Sequence, residues 1–169
     1  MPSERQYARV FQQSWAGITS SRVEVLAETP KRYRVRYQPW AWIVVHGPKR
    51  VENRRWAPWP GVIGQRIAIH AGLTYDGDGE RFIRSKGIEP PAPEQLDRGA
   101  IIGTAIVTGF VRSGDLPGLS PLPADQAPWF FGPVGWLLDD AQVCTPWPCR
   151  GALGLWRVPA ECPLLEAAA

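Results

Sequence analysis

The chain has 169 residues, of which 44% are hydrophobic and 21% charged, the composition of one globular domain. Glycine (17) and proline (18) are well above their average share, so the chain turns often and uses short elements, which excludes long helical bundles and coiled coils. No apolar stretch approaches the ~18 to 20 residues of a membrane helix, and the opening Met1-Pro2-Ser3-Glu4-Arg5-Gln6 lacks the apolar core of a signal peptide. A cytoplasmic protein without a membrane partner is therefore expected. The net charge of +3 is unevenly spread: residues 1–66 carry 12 Lys/Arg against 4 Asp/Glu, and the remainder carries an acidic excess. This suggests a basic surface for an anionic partner, unless folding brings the two halves together and cancels it.

In chain order, Ser3 and Gln6 have capping-box spacing, and Tyr7, Val10, Phe11 and Trp15 recur at helical intervals, which predicts a short helix. From Arg22 to Tyr37 the pattern alternates around Glu28-Thr29-Pro30-Lys31 and predicts a hairpin. Its second strand carries Arg32, Arg34 and Arg36 on one face, suited to phosphate contact or to pairing with Glu24. Residues 1–32 read as an amino-terminal extension and residues 33–169 as the main domain. Pro39 near the first position and Gly47 as terminator frame a two-turn helix over Ala41–His46. A strand over Lys49–Arg55 follows, then a Pro/Gly-rich connection from Pro58 to Gly64, and a strand around Ile67, Ile69 and Ala71.

Asp76, Asp78 and Glu80 lack the glycine position and the distal glutamate of a calcium loop and read as a turn. Residues 80–88 suggest a short helix, and Pro90, Pro91 and Pro93 a connector. Ala100–Val111 is a β-branched run in which Gly103 and Gly109 allow bends. A proline-rich loop, Leu116–Pro128, is expected to be exposed and mobile. Trp136–Leu138 and Leu153–Val158 supply further strands, and Ala160–Ala167 a terminal helix. Many short strands with one or two helices argue for a mixed α+β chain, mainly β, built as a small barrel.

Three cysteines, Cys144, Cys149 and Cys162, cannot all pair within one chain, and the two histidines, His46 and His70, have no CxxC spacing to support them. Unpaired thiols in a reducing compartment, with no metal and no cofactor, are expected.

The densest functional signal is Gln38–Trp56, reading QPWAWIVVHGPKRVENRRW. Strict alternation on a strand puts Lys49, Val51, Asn53 and Arg55 on one face and Arg50, Glu52 and Arg54 on the other. Lys49 can then meet Glu52 only if it lies on the turn before the strand starts. This segment resembles the ASCH domain, the module named from the activating signal cointegrator, whose G-x-K-x-x-E-x-R hallmark reads here Gly47-Pro48-Lys49-Arg50-Val51-Glu52-Asn53-Arg54. Gln38-Pro39-Trp40-Ala41, Trp56, Ile69-His70-Ala71, Gly132-Pro133-x-Gly135-Trp136 and Gly154-x-Trp156 are similar to its flanking pattern, so the resemblance covers roughly residues 34–158.

The resemblance implies a PUA-like small β-barrel with one or two short helices flanking a cleft, lined by the motif, for RNA or a nucleobase- or nucleoside-like ligand. The ligand-binding residues would be Gln38, Trp40, Lys49, Glu52, Arg54, Trp56 and His70. The chemistry of these side chains agrees. Lys49 and Arg54 donate to phosphate or carbonyl oxygen, Glu52 accepts from an exocyclic amine, and Trp40 or Trp56 offers a flat face to a base. Each also has a structural reading: indoles fill cores, His70 serves as a hydrogen-bonded strand residue, and Glu52 with Arg54 forms a bracing ion pair.

Some ASCH relatives hydrolyse the amide of N4-acylated cytidine with a lysine, a threonine three positions later and a distant glutamate. Here the lysine is Lys49, but the position three later is Glu52, so a hydroxyl nucleophile is missing and Glu52 would have to activate water. A binding module is the leading reading. An amidohydrolase using Lys49 and Glu52 is the alternative, and a ribonuclease drawing on His70, Lys49 and Glu52 ranks third.

Overall fold

The computed structural model describes residues 9–13, 21–24, 38–115, 121–152, 154–159 and 161–163. In chain order these form β1 (Arg9–Gln13), β2 (Ser21–Glu24), α1 (Trp40–Val45), β3 (Val51–Arg54), β4 (Arg66–Ala71), α2 (Gly77–Ser85), β5 (Ala100–Arg112) and β6 (Val134–Pro148), with short 3-10 turns at Pro60–Val62, Pro93–Gln95 and Ala124–Trp129. The chain is mixed α/β and mainly β. Its centre is an antiparallel sheet in the order β4-β5-β6-β3, which β1 extends parallel to β4 and β2 extends antiparallel to β1. Among the described residues no ladder joins the outer strands β2 and β3.

Local chemistry accounts for the part that carries the motif. Pro39 precedes the first residue of α1, where its missing N–H costs nothing, and Gly47 follows the C-cap His46. A Cβ at Gly47 would lie 2.3 Å from Ile43 Cδ1 and 3.0 Å from the Ile43 carbonyl, so glycine spares the end of the helix that crowding. The helix is buried on Trp40, Ala41, Ile43, Val44 and Val45 because it rests on the sheet, mainly on β5 and β4. Gly103 makes room for it: a Cβ there would meet Val45 Cγ1 at 2.7 Å and the Gln142 carbonyl at 2.4 Å. The β5–β6 register shifts between Ile101 and Gly103 and between Val107 and Gly109, so both glycines of the run fall at irregularities, as expected of a strand that bends.

The amino-terminal helix expected over Ser3–Trp15 is corrected: residues 9–13 are a strand, with Val10 and Phe11 paired to Ala68 and Ile69 of β4. The apolar spacing is helical, and the tertiary pairing with β4 overrides it. Of the predicted hairpin, Ser21–Glu24 is a strand and pairs with β1, while residues 25–37, including Arg32, Arg34 and Arg36, lie outside the described residues. Asp76, Asp78 and Glu80 are the start of a helix: Asp76 caps α2, its Oδ1 accepting from the N–H of Asp78 and Gly79 at 3.1 and 3.0 Å. Trp136–Leu138 belongs to a 15-residue strand, and Leu155 and Arg157 form isolated bridges instead of a strand. Residues 161–163 contain no α-helix, and the rest of the predicted terminal helix lies outside the described residues, as do residues 116–120 of the proline-rich loop. The remainder of that loop is not uniformly exposed, because Gln126 is buried in the 3-10 turn.

Candidate functional site

β3 begins at Val51, so Lys49 lies on the turn ahead of the strand, where alternation does not hold it away from Glu52. Its Nζ donates to the Val51 carbonyl at 2.6 Å and to Glu52 Oε2 at 3.2 Å. On the strand, Glu52 and Arg54 share a face, and Arg54 Nε lies 3.5 Å from Glu52 Oε1. Lys49 is 1% exposed, Glu52 0% and Arg54 5%. The motif's three ionisable side chains thus converge on one buried spot.

Aromatic rings surround them. Lys49 Nζ lies 5.8 Å from the Trp40 ring centroid, and the Arg54 guanidinium lies 5.7 Å from both the Trp56 and the Trp136 rings. Trp136, opposite Glu52 in the β3–β6 register, is fully buried and donates its indole N–H to the Trp56 carbonyl at 2.8 Å. Trp56 is 40% exposed, so the ring that packs on the cluster's arginine also reaches solvent.

The bracing of the turn is done by a different cation. Arg50 donates from one guanidinium nitrogen to the carbonyls of Val44, Gly47 and Lys49 at 2.8 to 2.9 Å, closing the end of α1 onto β3. Gln126 adds a second clamp, accepting from Arg50 N–H at 2.6 Å and donating to the Pro48 carbonyl at 3.0 Å. Asn53, between Glu52 and Arg54, donates to the Trp129 carbonyl and accepts from Phe131 N–H. Within this held backbone Lys49 bonds both the Val51 carbonyl and Glu52, and Glu52 also pairs with Arg54.

The remaining predicted site residues divide. Trp40 is 2% exposed and committed through its Nε1–H to Asp76 Oδ2 at 2.8 Å, leaving its ring to Lys49. Gly79 makes this approach feasible, since a Cβ there would fall 2.4 Å from Trp40 Nε1. Gln38 is fully buried and spans two backbones, donating to the Asp97 carbonyl at 2.7 Å and accepting from Trp42 N–H at 3.2 Å. It positions α1. His70 belongs to another part of the molecule: its Nε2 is 3.0 Å from the Cys149 carbonyl, its ring meets Trp156 edge-on, and it sits beside the cluster that holds Cys144, Cys149 and Cys162. The structure therefore joins Lys49, Glu52, Arg54, Trp40 and Trp56, holds Gln38 behind them, and sets His70 apart.

Sequence reasoning missed Asp76, Asn53, Gln126 and Trp136 as parts of this arrangement. Asp76 was findable, since an Asp two and three residues ahead of helical N–H groups is a cap signal. Gln126 carries no local signal, because its partners are 76 and 78 positions away.

Burial pushes the Lys49 ammonium below its ordinary titration range; the Glu52 carboxylate opposes this and Arg54 adds to it. A lysine poised in this way either donates as a cation to an oxygen or, once neutral, takes a proton. For His70, burial likewise lowers the titration range, opposed by the bond to the Cys149 carbonyl, and burial raises the Cys149 thiol to about 11. Among the described residues no three His, Cys, Asp or Glu side chains gather as a metal-ligand set, and no helix is long and apolar enough to cross a membrane. Comparison with models of protein families and with curated proteins finds no match to this chain.

Proposed function

We propose that this chain is an ASCH-type binding module, its six-stranded sheet the core of a PUA-like fold, that takes RNA or a nucleobase- or nucleoside-like ligand at the Lys49–Glu52–Arg54 cluster. The observation that carries the reading is the joint burial of these three charged side chains, 5% exposed or less, beneath a 40% exposed indole. Removing each ion from water costs several kcal/mol, and attraction between ions repays this incompletely. Ionisable groups desolvated together in this way mark a candidate site. Glu52 accepts from an exocyclic amine, Lys49 and Arg54 donate to carbonyl or phosphate oxygen, and Trp56 stacks on the base.

The Lys49–Glu52 pair, 3.2 Å apart, sets a donor and an acceptor side by side for one ligand group. It also supports the second reading, an amidohydrolase on N4-acylated cytidine. A Lys49 whose charge is disfavoured by burial stands 3.2 Å from a carboxylate that can activate water. A ribonuclease ranks below both, because His70 makes its contacts elsewhere.

The test is incubation with N4-acetylcytidine, with equilibrium binding and released cytidine measured on the same samples. Binding without cytidine supports the module, cytidine above a Lys49→Ala control supports the hydrolase, and neither removes the nucleoside reading. Binding of single-stranded RNA that weakens steeply with salt would instead favour several phosphate contacts.

A further inference from the structure

The connection from β3 to β4, residues 55–65, is pinned through its smaller apolar residues and shows its larger ones to solvent. Pro58 and Val62 are buried, and Ala57 packs against the main core cluster. Backbone bonds hold the rest: Val62 N–H donates to the Trp59 carbonyl at 2.9 Å, Ile63 N–H to the Pro60 carbonyl at 3.2 Å, and Gly64 N–H to the Val107 carbonyl of β5 at 2.7 Å. Trp59 stands between two prolines, and its extended backbone (φ −74°, ψ 157°) is the conformation that a following proline favours. Exposed on this held loop are Arg55, Trp56 at 40%, Trp59 at 45% and Ile63 at 38%. The two indoles leave apolar area in water within a few residues of each other, the pattern of a contact surface more than of a scattered exposed side chain. From Asn53 to Tyr75 the chain has arginines at 54, 55 and 66 and no acid. Arg54 is paired with Glu52 and Arg66 with Asp140, whereas Arg55 makes no ion pair among the described residues.

We propose that this loop extends the ligand site along a single-stranded nucleic acid: one base stacks on Trp56, a nearby base of the same strand on Trp59, and a backbone phosphate lies at Arg55. The inference rests on the nucleic-acid reading of the cluster and narrows it from a free nucleoside to a strand of two or more nucleotides. Three residues of chain keep the Cα atoms of the two tryptophans within about 11 Å, a span that a short stretch of strand covers. An indole takes the face of any base and an exposed guanidinium takes phosphate, which together make sequence-tolerant single-strand binding. Because β5 and the loop's own turn already fix the backbone, little ordering is left to be done on binding.

The test uses the full chain with end-labelled single-stranded octamers of mixed sequence, one RNA and one DNA, read by fluorescence anisotropy, and unlabelled nucleosides as competitors. Wild type is expected to bind an octamer at least about tenfold more tightly than any nucleoside. Trp59→Ala should weaken octamer binding about fivefold or more, with the urea midpoint of the wild type. Arg55→Gln should weaken it less and lower the salt slope by about 0.7, the share of one phosphate on a single strand. Losses in both arms assign a strand of either sugar, and a loss in the RNA arm alone assigns RNA. Unchanged octamer affinity in both variants, or a wild type that prefers no octamer to a nucleoside, overturns the proposal. Should the variants not fold, ultraviolet cross-linking of a uridine octamer to the wild type decides: adducts within residues 55–65 support the surface, and adducts only elsewhere overturn it. Nucleoside binding without the octamer gain sinks the loop and leaves the cluster. Octamer binding that Trp59→Ala weakens and Lys49→Ala does not, with no nucleoside bound, leaves the loop and sinks the cluster.

Discussion

The helix α2 and the turn before β3 each pair an acid with a base three positions away, at very different depths. On α2, Asp78 and Arg81 pair across three positions with side chains 85% and 74% exposed, and Arg84 reaches Glu80 at 2.9 Å and also pairs with Glu89. In the motif, Lys49 and Glu52 pair across three positions at 1% and 0% exposure. Exposed pairs of the α2 kind support a helix weakly and are screened by salt. The buried cluster gives up the hydration of each ion, and a set of apolar side chains would be cheaper there. Spacing is therefore no guide to purpose here. Arg50 holds most of the turn's backbone and Lys49 bonds the Val51 carbonyl, so whether the buried charges serve a ligand or the fold is decided by the unfolding and binding measurements below.

This contrast can be broken in several places. The largest effect belongs to Glu52→Ala, which leaves Lys49 and Arg54 buried without their carboxylate and is expected to cost about 3 to 5 kcal/mol in urea unfolding. A loss within the range of an ordinary surface substitution would mean that the cluster is wetter than its burial indicates. Trp56→Ala comes next and separates recognition from folding. Its indole is partly exposed, so the fold should persist, while ligand affinity falls by about 1 to 3 kcal/mol in a fluorescence titration. Unchanged affinity would take Trp56 out of the site.

His70 sharpens the comparison as a buried group outside the cluster. Its titration range is lowered in the fold by burial, so the unfolded chain takes the proton first as pH falls below about 6.5. Stability should be unaffected by His70 above that pH and decline below it until the folded histidine also protonates. The acid slope should flatten in His70→Gln, and identical slopes would place the acid sensitivity in other groups. Smallest of all is Arg81→Ala on α2, for which no measurable change in the unfolding midpoint is expected; a clear drop would erase the distinction between the two regions.

Much of the fold was legible where one local rule operates without a competitor. Pro39 and Gly47 bracket α1, and the bends of β5 fall at Gly103 and Gly109. The condition under which Lys49 could reach Glu52, a position ahead of the strand, was also readable, and β3 starts late enough to meet it. What could not be read depends on distant partners. The parallel pairing of β1 with β4 overrides a spacing equally suited to helix. Strand β6 runs through Pro146 to Pro148, where among the described residues β5 alone pairs with it, and an edge without a second partner tolerates residues without an N–H. In the site, the charged residues were visible in the motif, but the side-chain clamps on the backbone around them join positions 76 to 78 apart, Gln126 with Pro48 and Arg50 and Asn53 with Trp129 and Phe131.

The most direct measurement is the unfolding free energy of the triple variant Lys49→Met, Glu52→Leu, Arg54→Leu. If the three charged groups are retained for a ligand, the apolar replacement unfolds at the same or higher urea concentration than the wild type and binds no nucleoside or RNA. A variant less stable by several kcal/mol would mean that the cluster holds the domain together and that recognition happens elsewhere.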